Sequence, residues 1–193
     1  MILLSTYPMI LFGLFGLFCL VLFWAIVIYN RLVRLRQQVS EGWSGIDVQL
    51  KKRSNLIPNL VETVKGYARH EKNTLTEVIE SRGQCIKAKN GGALERGEAE
   101  GKLTNSLVNL FVVTENYPDL KANESFLNLQ HSLTEIENDI EMARRYYNGA
   151  VRIMNIGIET FPSVFIAKRF HFSRADYFQI EDPKDRLAPG VKL

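Results

Sequence analysis

Residues 47–60, DVQLKKRSNLIPNL, decide how this chain is read, because apolar residues recur at helical spacing on both sides of Pro58. A proline inside a helix removes one backbone hydrogen bond and crowds the carbonyl four residues earlier, at a cost of about 3 kcal/mol. It also biases the preceding residue, here Ile57, away from helical geometry. The phase of the pattern survives it all the same. Leu35, Ile46, Ile57, Ala68 and Ile79 fall 11 residues apart, Val39, Leu50 and Val61 form a second such series, and Leu32 and Trp43 begin a third. That repeat corresponds to about 3.67 residues per turn, the period of a straight helix or a slight right-handed supercoil. Asp47, Lys51, Ser54, Pro58, Glu62, Lys65 and Arg69 make the opposite, polar face. Pro58 is thereby turned toward solvent, where water can satisfy the carbonyl of Ser54. The spacing predicts one helix through residues 31–81, bent by more than about 20° near Ser54–Pro58 but not broken.

Toward the N-terminus, residues 8–29, PMILFGLFGLFCLVLFWAIVIY, carry no charge. At helical rise they span roughly 33 Å, enough for a bilayer core. A cleaved signal peptide would need a positive n-region and a small-residue cleavage site, and a lipidation box a small residue just before Cys19; the stretch has none of these. It therefore reads as a retained transmembrane helix, 8–29, behind a short external N-terminus, 1–7, with no breaker at Asn30. Arg31, Arg34 and Arg36 follow at once, then Lys51, Lys52 and Arg53. The positive-inside rule places the rest of the chain in the cytoplasm and the N-terminus outside. The three juxtamembrane arginines also suit anionic lipid headgroups, at about 1 kcal/mol each. A net charge of +3 is too small to imply nucleic acid. Cys19 and Cys85 cannot form a disulfide framework, one being in the span and the other in a reducing compartment.

Toward the C-terminus only helical periodicity appears. RGQCIKAKNGGALERGEAE, residues 82–100, holds four glycines and many charges and reads as a helix end and a mobile loop. A second helix is expected over about 98–117, with Leu103, Leu107, Leu110, Phe111 and Thr114 on one side and Pro118 as its stop. From Phe126, the residues Leu129, Leu133, Ile136, Ile140, Ala143, Tyr147, Ala150, Met154, Gly157 and Phe161 alternate spacings of three and four, a coiled-coil-like seam. SVFIAKRFHF supplies a short apolar fourth segment, and residues 173–193 read as a loosely ordered tail. The expected fold is all-α. A single N-terminal transmembrane helix continues into the long, bent helix of an antiparallel cytoplasmic bundle over residues 30–172.

Catalytic patterns fail on their details. EGKLT, residues 100–104, departs from a phosphate-binding loop because Gly97 is one residue too near, a leucine separates Lys102 from Thr104, and no strand precedes it. HEKNT, from His70, lacks the second histidine of a zinc-protease motif, and His70, His131 and His171 are isolated from one another. The carboxylates of EIENDIEMARRYYN flank the seam, where charge keeps a helix soluble. No catalytic, metal or cofactor-binding residue is assigned, and the chain is read as no enzyme. Arg144, Arg145 and Tyr146 are of the types enriched at interaction surfaces, with a solvated face as the alternative.

Taken together, YNRLVRLRQQV (29–39), GWSGIDVQLKKRSNLIPNLVETVKGYARHE (42–71), YPDLKANESFLNLQ (117–130), ARRYYNGAV (143–151) and FPSVFIAKRFHF (161–172) resemble the LemA family of bacterial membrane proteins. The chain departs from the family pattern at EIENDI, at IMNIGIETFP, and at His171, where a glycine is usual. The resemblance implies a single-pass protein of the bacterial inner membrane with an external N-terminus and a cytoplasmic helical bundle. The wider group includes a protein required for forming magnetosome membranes. The resemblance supplies no catalytic residues.

Two functions are compatible with these features. One is a membrane scaffold that self-associates and organises or remodels the bilayer. The other is an adaptor or accessory subunit of another membrane complex, such as a protease or a sensor. A second helix of about 20 residues, or roughly 30 Å, cannot cover a first one reaching roughly 75 Å. Leu32, Leu35, Val39, Trp43 and Ile46 are therefore expected to lie open as an oligomer interface, the alternative being that Trp43 packs against the third or fourth helix of its own chain. A topology reporter fused after Leu193 should be active only in the cytoplasm, and changing Arg31, Arg34 and Arg36 together to glutamate should scramble its orientation. Unchanged insertion would assign that control to Lys51–Arg53.

Overall fold

The computed structural model describes residues 2–179, and these are helical apart from short connections and the segment after α6. The order is α1 (Ile2–Tyr67), α2 (Lys72–Lys87), a 3-10 turn (Ala88–Asn90), α3 (Ala93–Thr114), α4 (Pro118–Lys121), α5 (Glu124–Glu159) and α6 (Ser163–Arg169). Helix already covers Ile2–Tyr7, read from sequence as a separate N-terminal extension. The described residues divide into two compact units, one of residues 2–40 with 150–175 and the other of residues 41–149 with 176–179. Of the expected C-terminal tail, residues 180–193 lie outside the described residues.

In the second unit, α1 continues through Pro58 without interruption. Ile57 is buried and Pro58 exposed, as the polar stripe requires. Water is not what satisfies the carbonyl freed by the proline, however: Arg82 Nε donates to the Ser54 oxygen at 2.8 Å. The helix then ends at Tyr67, not Ser81. The chain turns over residues 68–71, with Ala68 N–H still donating to Val64 O and Glu71 N–H to Ala68 O. The turn resets the phase, so α2 buries Leu75, Val78, Ser81 and Cys85 and leaves Ile79 exposed. Leu75, Val78 and Cys85 join Ile57, Leu60 and Val64 of α1, Leu103, Leu107 and Leu110 of α3, and Phe126 and Leu133 of α5 in one core.

Residues 82–100, expected as a helix end and a mobile loop, are mostly helix, and Arg96, Gly97, Ala99 and Glu100 are buried. Gly97 is required by close approach, since a Cβ there would stand 2.0 Å from the carbonyl oxygen of Gln179. Residues 176–179 are correspondingly not loose. Phe178 is fully buried, its backbone N–H and C=O are both held by the Asn148 side-chain amide, and Tyr147 Oη donates to Asp176 O.

In the first unit, Leu32 and Leu35 of α1 pack on Met154 and Ile158 of α5 and Ala167 of α6, with Val39 partly buried against them. Asn155 donates to Ala175 O and accepts from Ala175 N–H, both at 3.0 Å. Helix α6 closes with a Schellman arrangement: His171 N–H donates to Lys168 O at 3.4 Å and Phe172 N–H to Ala167 O at 2.9 Å. That geometry puts His171 at φ 56°, in the left-handed region that glycine occupies without steric cost. His171→Gly should therefore stabilise the fold by about 1 kcal/mol, the usual left-handed penalty less the extra chain entropy of glycine. Thermal unfolding followed by circular dichroism would read this as a raised midpoint.

Candidate functional site

Two constellations stand out, one in each unit. The first surrounds the end of the apolar part of α1. Helix α1 is long and apolar enough to cross a membrane, and none of the described part of its most apolar stretch is buried within the chain. At the end of that stretch, Tyr29 meets Phe170 with ring centroids 4.7 Å apart and planes tilted by 57°, and meets Phe172 edge-on at 5.9 Å. The guanidinium of Arg36 lies 5.3 Å from the centre of the Phe172 ring, and that of Arg169 lies 5.8 Å from the centre of the Phe170 ring. Arg31, Arg34 and Arg36 are all exposed. Gly157 permits the approach of the two long helices here, because a Cβ would sit 3.0 Å from Leu35 Cδ1. An aromatic and cationic collar thus grips α1 where its apolar stretch ends.

The second constellation is buried charge. Arg53, which from sequence belongs to the basic cluster Lys51–Arg53, is fully buried. Its Nη2 donates to Glu100 Oε2 at 2.5 Å and its Nη1 to Thr104 Oγ1 at 2.9 Å and to Glu137. Burial pulls the guanidinium pKa down, but Glu137 and Glu100 outweigh it and hold the value above its ordinary level. One turn before Glu100, Arg96 donates to Asp47 Oδ1 at 2.5 Å and lies 5.4 Å from the centre of the Trp43 ring. Burial, reinforced by Glu100, pushes the Cys85 thiol up to about 12, so it is held as an unreactive thiol. Burial also raises the pKa of Tyr147. These groups neutralise one another inside the unit and serve as helix-to-helix clamps.

The stripe expected to lie open is filled from within. Leu32, Leu35 and Ile46 are buried. The ring of Trp43 rests 5.4 Å from Tyr147 and 5.8 Å from Phe178. The second expected helix is too short to cover α1, but the 36-residue α5, α6 and residues 176–179 provide the cover. Of the interaction candidates, Arg145 is exposed and paired with Glu141, whose pKa is lowered by the hydrogen bond and charge of Arg145. Tyr146 is half exposed and Arg144 half buried. Among the described residues no group of three or more His, Cys, Asp or Glu side chains is arranged to hold a metal ion.

An all-α chain with one apolar N-terminal helix gripped by an aromatic and cationic collar belongs to the class of membrane-associated helical proteins. Residues 42–193 match the LemA family, and the chain is a member of it. Similar proteins include Magnetosome protein MamQ 2 of Paramagnetospirillum magneticum, 29% identical over 175 residues, covering 78% of this chain and 64% of that protein. Magnetosome protein MamQ of Magnetospirillum gryphiswaldense is 24% identical over 174 residues, with the same coverage of both chains. Protein LemA of Metamycoplasma hominis is 24% identical over 155 residues, covering 79% of this chain and 69% of that protein. The chain thus spans a little under two thirds of the length of the MamQ proteins it matches.

Removing one side of the buried pair leaves the other charged and unsolvated, at a cost of about 3–5 kcal/mol, whereas replacing both by apolar groups is often neutral. Arg53→Met should therefore strongly lower the unfolding midpoint in urea, and Arg53→Met with Glu100→Leu should recover most of it. Equal midpoints for the single and double variants would show that the pair does not clamp the helices.

Proposed function

We propose that this protein is a non-catalytic, membrane-anchored helical scaffold of the bacterial inner membrane, with its N-terminus outside and an antiparallel helical bundle in the cytoplasm. Copies associate laterally and organise or remodel the bilayer. The observation that carries this reading is the collar around α1. A chain that is merely tethered leaves its span through a flexible linker. Here the exit is packed on both sides by α5 and α6 through Leu32, Leu35, Met154, Ile158 and Ala167, which makes the anchor part of a folded unit. Exposed Arg31, Arg34 and Arg36 provide cationic contact with anionic headgroups. Family membership and the resemblance to magnetosome proteins support a role at a membrane. Because the α1 stripe is occupied internally, contacts between copies fall to the exposed surface, with Arg145 and Tyr146 as candidates.

A second reading, an adaptor for another membrane protein, has one observation in its favour. An open groove of about 730 Å³ runs beside the turn between α1 and α2, with Lys65, Arg69 and Lys72 along it and Val61 and Leu75 in its lining. Such a groove suits an acidic, amphipathic peptide. Measuring the mass of the purified protein in native membrane discs separates the two. A defined homo-oligomer is expected, dispersed by Tyr146→Asp with helicity unchanged. A monomer would replace the scaffold by the adaptor.

A further inference from the structure

The corner between α5 and α6 is built contrary to the burial rule for a water-soluble surface. Phe161 and Phe165 are 74% and 65% exposed and meet edge-on at 5.9 Å, so a large aromatic pair projects outward from the turn. Ile153 and Ile156 on the last turns of α5, and Phe170 after α6, add to the same exposed apolar surface. The axes of α5 and α6 meet there at 95°. Phe161 is also the one position of the α5 seam, read inward from sequence, that the fold turns out.

What covers this surface is set by its neighbours within the same unit. A groove of about 500 Å³ is lined by Trp24, Ile28 and Arg31 of α1 on one side and by Ile156, Phe161 and Pro162 on the other. Trp24 and Ile28 belong to the apolar stretch, and Trp24 lies five residues before Tyr29, about 7.5 Å along the helix axis. Phe161 therefore shares the level of residues inside the apolar band. Charge points the same way. Residues 1–40 and 150–175 contain Arg31, Arg34, Arg36, Arg152, Lys168, Arg169 and Arg174, against Glu159 as their sole acidic residue. Bulky aromatics flanked by lysine and arginine, at a depth of about 5–10 Å, are the signature of an element lying in the headgroup and acyl boundary.

We infer that the α5–α6 corner is a second, monotopic membrane element: Phe161 and Phe165 insert into the leaflet at which α1 exits, while Lys168 and Arg169 hold anionic headgroups. The inference rests on the proposed crossing of the bilayer by α1. Material added to one leaflet only, beside a helix that crosses both, expands that leaflet selectively. This gives the scaffold a physical means of bending a membrane.

The test uses the full chain, with Cys19→Ala and Cys85→Ala, reconstituted in vesicles of phosphatidylcholine and phosphatidylglycerol. Single cysteines are introduced by Phe161→Cys, Phe165→Cys, Val112→Cys in α3 and Val21→Cys in α1, then spin-labelled. Collision with oxygen, which favours lipid, is compared with collision with a water-soluble nickel chelate. Labels at 161 and 165 should favour oxygen as the label at 21 does, while the label at 112 favours nickel. Preference for nickel at 161 and 165, with 21 lipid-like, overturns the inference and leaves the crossing of α1 intact. Low collision with both reagents at 161 and 165 means that protein covers the corner, and also overturns it. Preference for nickel at 21 overturns the crossing itself, and the inference with it.

Discussion

A fully buried arginine governs the packing of the second unit. Arg53 sits in the apolar stripe of α1 and is held there by Glu100 and Thr104 of α3 and by Glu137 of α5. A guanidinium in that position is tolerable only when its counter-charges are in place, so the three helices must pack in the register that brings them together. The leucines of α1 and α3 would accept several offsets at similar cost; Arg53 accepts one. The pairing of Arg96 with Asp47, one turn from Glu100, repeats the constraint and seats Trp43 beneath a second guanidinium. Such pairs contribute little net stability compared with apolar groups of the same shape, and their effect is on the choice of arrangement.

The first unit poses a different problem, that of an apolar helix segment fit to cross a membrane running directly into a packed helical core. Over residues 11–24, α1 presents exposed apolar side chains, Ile28 is partly buried, and beyond Tyr29, Leu32 and Leu35 are buried against α5 and α6. Aromatic rings and arginines mark the change, in keeping with the preference of such groups for the region between hydrocarbon and water. The glycine-like turn at His171 and the close contact at Gly157 bring α6 and Phe172 back against α1.

The helical class, the apolar span, the passage of α1 through Pro58 and the seam of α5 could all be read from residue spacing, because each depends on the period of a single helix. The failures share one cause. Arg53 counted only among the basic residues after the span, and Arg96 and Glu100 fell in a stretch read as a helix end and mobile loop; charge is ordinarily solvated, and only partners distant in sequence reverse that expectation. A signal existed: Ile46, Leu50, Arg53, Ile57, Leu60 and Val64 alternate spacings of three and four, which puts Arg53 in the stripe. No comparable signal marked the turn at residues 68–71, where the 11-residue series carries on through Ala68 to Ile79.

Sequence by itself determined where helix is possible, which face of each helix is apolar, and where the chain is fit to cross a membrane, since these follow from local periodicity and hydropathy. Tertiary structure alone decided what lies on the α1 stripe, that Arg82 and not water satisfies Ser54, that residues 176–179 are bound to α5, and that Phe161 points away from its own seam. Each of these concerns which distant group fills a given space or completes a given hydrogen bond. Periodicity states only that something must.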